Sequence, residues 1–406
     1  CLVGSEMCIR DRYYTERNDS SVIAFVIPEK EVGIRGFHMA AAHSDSPCFK
    51  IKEKPELTVE EHYLRLNTEK YGGMILSTWL DRPLSVAGRL AVKNGNGIEG
   101  RLVNIDRDLC VIPNVAIHMN REMNKGVEYN PQVDLLPLLA DVTFDAHDAQ
   151  TASENAEEQP ETVEKPTLAA LAAETAGVDA ETILGEDLFL YTRQEGKMIG
   201  AKGEFVLSPR LDDLQSAFAL TKAFTESTPA EYINLCAVFD NEEVGSGTRQ
   251  GADSTFLEDT LQRITEGLQE GHSTYLRWVA DSFLISADNA HAVHPNHPEK
   301  ADPANRPYLN GGIVIKYHGS QKYTTDGISA ARMKDYCERA KVPYQTYANR
   351  SDIAGGSTLG NISTAHVSVS SVDIGLPQLA MHSAVETAGM KDTEYAVRAL
   401  KEFWGE

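Results

Sequence analysis

Five short segments carry side chains that could do chemistry: His43 and Asp45 in HSDSP, Asp212 and Asp213 in RLDDL, Glu242 and Glu243 in DNEEVGSG, Asp288 in SADNAHAVH, and His382 in LAMHSAVE. One His or one acid alone means little, because most such side chains are solvated or satisfied locally. Their conjunction is more informative. Carboxylates grouped without nearby Lys or Arg repel one another unless a cation compensates them. Imidazole with carboxylate is a donor set that suits Zn²⁺, and Co²⁺ or Mn²⁺ accept the same donors. The six cysteines are scattered and form no C-x-x-C pair. Neither a thiolate zinc site nor a disulfide framework is expected, and a reducing cytoplasm fits.

The Glu242-Glu243 pair constrains the backbone. Adjacent residues in an extended strand point opposite ways, so both can serve one site only where the chain turns. Gly245 and Gly247 follow directly and permit that turn. The segment also approximates a G-x-G-x-x-G nucleotide loop. Its spacing is wrong by one residue, and the acids just upstream would oppose a pyrophosphate.

The elements that must position these residues alternate between strand and helix. YINLCAVFD (232–240) and FLISAD (283–288) are apolar runs of strand length, each ending on an acid. GGIVIKY, VPYQTYA and HVSVSSV repeat the theme, and helices are predicted over 253–269 and 391–403. Such alternation predicts an α/β domain with a largely parallel sheet, whose sites form at the carboxyl ends of strands. Residues 56–137 instead carry strand-like segments broken by Gly and Asn, including the hairpin signal KNGNGIEGRL. A helix is expected over 166–183. Between Asp145 and Glu164 seven acidic residues form a stretch that reads as a solvated loop (145–165).

Composition excludes several classes. A net charge of −22 opposes binding to nucleic acid or an anionic membrane surface. No run approaches the roughly 18–20 apolar residues that span a bilayer. Residues 1–12 (CLVGSEMCIRDR) lack a signal-peptide pattern and read as translated sequencing adapter, a non-native start. A genomic locus encoding the same residues in frame would refute that.

The motifs HSDSPCFKI, YGGMILSTWLDRPLSVAGR (71–89), IPNVAIHMNR (112–121), SPRLDDL, FDNEEVGSGTRQGA, SADNAHAVHPNH, GGIVIK and LPQLAMHSAVE resemble, in this order, those of the M18 zinc aminopeptidases, the aspartyl aminopeptidases. The resemblance covers nearly the whole chain from Tyr13 on, the acidic stretch excepted. It implies a three-layer α/β/α zinc-peptidase domain formed from 13–53 and 206–406, with an inserted β-rich dimerisation domain over 54–205. It implies two Zn²⁺ bridged by Asp212, with Glu243 and His382 on one ion and His43 and Asp288 on the other. Glu242 would be the general base for the attacking water, and Asp45 would orient the His43 imidazole. Asp213 is expected as a helix N-terminal acid.

Further residues follow from the same resemblance or from their setting. His118 would reach a neighbouring subunit's active site and act there in trans. Lys316, ending an apolar strand, would pair with an acidic substrate side chain. His291, His294 and His297 recur every three residues, but Pro295 and Pro298 forbid a regular helical face. They are expected to line the site, not to bind metal. Gly355 and Gly356 would allow close approach of the substrate main chain. The implied partners are peptide substrates and further copies of the chain, in a dodecamer built from dimers. The implied activity is release of N-terminal residues, acidic ones preferred. An M42-like aminopeptidase of neutral or broad specificity and a catalytically silent oligomeric scaffold are the rival readings.

Overall fold

The computed structural model describes residues 12–29, 33–144, 167–356 and 358–406. The non-native start expected over residues 1–12, Arg12 apart, and the acidic loop expected over 145–165 lie outside the described residues. The chain divides into two compact units: Cys1–Ser46 with Gly196–Glu406, and Pro47–Glu195.

The first unit is built on an eight-stranded sheet of β1 (Arg12–Arg17), β2 (Ser21–Val26), β3 (Gly36–His43), β4 (Tyr232–Phe239), β5 (Phe283–Ala287), β6 (Ile313–Tyr317), β7 (Tyr344–Ala348) and β8 (Ser370–Gly375). Their spatial order is β1-β2-β4-β3-β5-β8-β6-β7. Strands β4, β3, β5 and β8 form a parallel centre. The sheet is nevertheless mixed: β1 and β2 join antiparallel at one edge, and β6 runs antiparallel to β8. Every residue of β3 (GFHMAAAH) is buried, as befits a central strand covered on both faces.

Two apolar layers flank this sheet. On one face Leu220 and Phe224 pack with Met333, Leu400, Phe403 and Trp404. These come from helices Leu211–Glu226, Gly327–Ala340 and Asp392–Trp404. On the other, Phe256, Leu261, Tyr275, Trp278 and Leu359 pack against Phe37, Met39 and Leu235. Those side chains come from Phe256–Gly267, His272–Ala280 and Leu359–His366. The result is the expected α/β/α sandwich. Each large side chain fully buried in these layers contributes about 2 kcal/mol.

A small sheet accompanies the large one, with Lys197–Ile199, Phe205–Ser208, Glu386–Gly389, Pro377–Leu379 and Ala290–His291 in that order. Because its first two strands pair into this unit, the chain re-enters the unit before residue 206. It leaves before residue 54 because Cys48–Val59 is one continuous strand of the other unit.

The second unit is a six-stranded antiparallel sheet, ordered Gly97–Asn104, Leu84–Asn94, Ile183–Thr192, Cys48–Val59, Tyr63–Tyr71, Leu138–Asp141. The hairpin signal forms the turn between Asn94 and Gly97, with Gly95 at φ 59°. The helix expected over 166–183 spans only Leu168–Ala176. Thr167 caps its start, and Gly177 ends it at φ 66°.

Candidate metal centre

The carboxyl ends of β4, β3 and β5 lie side by side, and each delivers a candidate ligand there. His43 is the last residue of β3. Glu242 and Glu243 form a single tight turn after β4, entered through Asn241 at φ 63° and left through Gly245 at φ 96°. The expected turn is therefore present, and it lets the two neighbouring acids serve one region. Asp288 follows β5, its N–H donating to the Ile374 carbonyl at 3.1 Å. Opposite these, Asp212 opens helix Leu211–Glu226, and His382 sits in the turn after Pro377–Leu379.

The side chains converge. Ligand atoms of His43, Asp212 and Glu243 lie within 4.8 Å of one another, as do those of Asp212, Asp213 and Asp288. Asp212 divides its two oxygens. Oδ1 lies 3.5 Å from His43 Nε2, which is also 4.0 Å from Asp288 Oδ1. Oδ2 lies 3.4 Å from His382 Nε2, which is also 3.4 Å from Glu243 Oε1. Among the described residues, the buried Asp212 Oδ1, Asp213 Oδ1 and Glu243 Oε1 nonetheless have no hydrogen-bonded partner. Orphaned carboxylate oxygens at such a depth are costly unless a cation satisfies them. With two imidazoles beside them, the residues present fit a zinc centre.

Three further carboxylates pin this cluster through backbone amides. Asp45 accepts the Glu242 and Glu243 N–H groups, each at 3.1 Å, tying the segment after β3 to the turn after β4. Its backbone carbonyl, 3.0 Å from His43 Nδ1, orients the imidazole, with the Asp45 carboxylate 3.4 Å away. Asp213 stands in the first turn of its helix as expected, but it is fully buried and accepts the His43 N–H at 3.2 Å. The third, Glu386, was not anticipated. It is 2% exposed and accepts the Asp212 N–H at 3.0 Å and the His382 N–H at 2.7 Å. Its one sequence signal is its place four residues after His382.

Burial is the largest single influence on these acids, although at Asp212 the His382 and His43 imidazoles together override it and hold the carboxyl down. Burial pushes Glu242 up to about 7, reinforced by Asp288, and Glu243 up to about 9 against the pull of His382. Asp213 and Asp288 are raised for the same reason, Lys316 opposing the rise at Asp288. Glu386 reaches about 7 because burial outweighs its two amide bonds. The cluster holds more carboxylates than can ionise together without added positive charge.

Lys316 lies on β6 and is 2% exposed. Its ammonium stands 3.5 Å from Asp288 Oδ2 and 5.4 Å from the centre of the Tyr323 ring, which sequence reading also missed. Gly375 leaves room for it: a Cβ there would stand 2.9 Å from Lys316 Cε. His291, His294, Gly355 and Gly356 line one cavity of about 440 Å³, together with Gln378 and Tyr347. His118 belongs to the second unit, in an exposed turn.

A parallel-centred α/β sheet whose strand ends converge on His and carboxylate donors is a metal-binding arrangement that suits hydrolysis. The family model for the aminopeptidase I zinc metalloproteases (M18) matches residues 5–404. The chain is 47% identical to "Probable M18 family aminopeptidase 2" of Clostridium novyi (strain NT) over 397 residues, covering 97% of this chain and 88% of that one. Among solved structures it resembles the chain in "Cryo-EM structure of the Ape4 and Nbr1 complex" (TM-score 0.89, 36% identity, 98% of this chain and 77% of that one). It also resembles the S. cerevisiae mApe1 dodecamer (TM-score 0.77, 25% identity, 97% and 84%). The chain belongs to the M18 family of zinc metalloproteases, and it is an aminopeptidase.

Proposed function

We propose that this aminopeptidase uses a dinuclear zinc centre, with Asp212 between the ions, to release N-terminal residues from short peptides, acidic ones preferred. Glu243 and His382 would hold one ion, and His43 and Asp288 the other. The observation that carries this reading is the division of Asp212 between two His–carboxylate sets. When bound, zinc supplies Lewis acidity, lowering the pKa of a water and polarising the scissile carbonyl.

Glu242 is the general base. Its carboxyl is close enough to Asp288, His43 and Asp212 to feel their charges, and an upward-shifted carboxyl is matched to taking a proton from water and returning it to the leaving amine. Asp45 holds the Glu242 and Glu243 amides so that base and ligand keep a fixed spacing. His291, His294 and the Gly355-Gly356 segment form the substrate wall. His118, exposed on its turn, is available to act on the active site of a neighbouring copy. The 47–195 unit would be the dimerising part of a dodecamer, in keeping with the mApe1 assembly.

The acidic preference rests on Lys316, with Tyr323 over its ammonium. A neutral preference is the second reading, favoured by the pairing of Lys316 with Asp288. A cytoplasmic location is in keeping with the buried, unbridged thiols of Cys110, Cys236 and Cys337 among the described residues. Among the described residues, no helix is long and apolar enough to cross a membrane.

The test is hydrolysis of Asp-, Glu- and Leu-p-nitroanilide by zinc-loaded protein, with Glu242→Gln alongside. Faster turnover of the acidic substrates, lost by at least about 100-fold in the variant, is expected. A Leu preference would refute the acidic preference. An active Glu242→Gln variant would refute the base.

A further inference from the structure

Beside Lys316 lies a carboxylate that neither the metal centre nor the general base uses. Asp373, on β8, is completely buried. Its Oδ2 accepts the Thr324 N–H at 2.6 Å and the Thr324 hydroxyl at 2.8 Å, while its Oδ1 accepts the Thr358 hydroxyl at 2.5 Å. The Asp373 N–H in turn donates to Thr325 Oγ1 at 2.9 Å, and the Ser371 hydroxyl donates to Thr324 Oγ1 at 2.7 Å. One side chain therefore binds two segments that are far apart in sequence.

One segment packs on Lys316, and the other adjoins the cavity of about 440 Å³. Tyr323, directly before Thr324, places its ring over the Lys316 ammonium. Thr358 precedes helix Leu359–His366 and follows the Gly355-Gly356 wall of the cavity by two residues. The Lys322 ammonium, donating to the Gly355 carbonyl at 2.9 Å, joins the two segments at the rim. The register pairs Ile315 with Ile374, which carries Lys316 alongside Asp373 on the same face of the sheet. Gly360 packs against the carboxylate so closely that a Cβ there would stand 2.6 Å from Asp373 Oδ1.

We propose that Asp373 is a positioning residue for substrate choice: its carboxylate fixes the Tyr323–Thr325 and Thr358–Gly360 segments around Lys316, and so sets which N-terminal side chain the enzyme prefers. The proposal rests on Lys316 and Tyr323 contacting the substrate side chain, as read above. A buried carboxylate accepting a main-chain N–H and two hydroxyls holds its partners more rigidly than neutral acceptors do. In Asp373→Asn one oxygen becomes an NH2, so the uncharged side chain keeps an acceptor for the Thr324 pair or for the Thr358 hydroxyl but not for both. Tyr323 and the Gly355-Gly356 wall then lose their common anchor, whereas His43, Asp212, Glu243 and His382 keep theirs.

The experiment measures kcat and KM for Asp-, Glu-, Ala-, Leu- and Lys-p-nitroanilide with the zinc-loaded, assembled wild type and Asp373→Asn. The expected result is a fall of about ten-fold in the ratio of kcat/KM between the best and worst substrates. It should arise from a raised KM for the best substrate, with kcat changed by less than about three-fold. Equal losses on every substrate, or an unchanged ratio, would overturn the proposal. Thr324→Val and Thr324→Ser decide the matter if Asp373→Asn fails to fold. Val should lower the ratio and Ser should preserve it, and equal ratios in the two would overturn the proposal. A wild-type preference for a neutral residue would refute the acidic reading alone, since the fall in ratio is judged on whichever side chain is preferred. A wild type with no preference would overturn both.

Discussion

Replacing Glu386 with Gln separates a carboxylate that organises the metal centre from one that merely fills space. Its two oxygens accept the amides of Asp212 and His382, at 3.0 and 2.7 Å. The variant is nearly isosteric, but its side-chain NH2 must face one of those amides, leaving two buried donors opposed. An unsatisfied buried donor costs roughly 1–3 kcal/mol, so the pair of faults amounts to about 2–6 kcal/mol. Asp212 is shared by both His–carboxylate sets and His382 belongs to one, so much of that cost falls on metal binding. Loss of an outer partner typically weakens a metal site by about 10–100-fold. Chelator-competition titration with zinc should show this weakening, while urea unfolding of the metal-free protein shows a smaller loss. Zinc affinity within two-fold of wild type would refute the reasoning, as would a loss confined to metal-free stability.

Other sites give independent checks. In Gly375→Ala the new Cβ would stand 2.2 Å from the Asp288 carbonyl oxygen and 2.9 Å from Lys316 Cε. Overpacking there should cost about 1–3 kcal/mol and lower the urea midpoint; an unchanged midpoint would contradict that packing. His38, stacked 3.7 Å from Tyr232 and 4.5 Å from Phe403, is pushed down to about 4 by burial, with Glu406 and the Phe403 carbonyl opposing and Arg332 and Arg35 assisting. An unfolded histidine titrates near 6.5. The unfolded state therefore binds more protons between these values, and the stability held above pH 6.5 is lost as pH falls toward 4. The stability advantage of wild type over His38→Phe should shrink by about 2 kcal/mol between pH 6.5 and 5, read by urea unfolding. A constant difference would contradict the buried neutral imidazole.

What could be read from the sequence was what strand pattern and residue type encode. Apolar runs ending on acids announced β4 and β5 and placed Glu242, Glu243 and Asp288 at their ends, where the structure has them. The direction of β6 was not legible, because a strand pattern reads the same in either orientation and only its partners decide. Glu386 and Asp373 escaped notice for a related reason. They act on backbone amides and hydroxyls of distant segments, and those partners carry no signature of their own. The end of the helix at Gly177 was available from the sequence, since glycine readily adopts the left-handed conformation that stops a helix. The unit boundaries depend on which sheet each strand joins, and composition does not state that.

The most direct measurement of the central claim is anomalous diffraction at the zinc edge from crystals of the zinc-loaded protein. The account predicts two peaks flanking Asp212, one beside His43 and Asp288 and the other beside Glu243 and His382. A single peak, or a second one held by other residues, would contradict it.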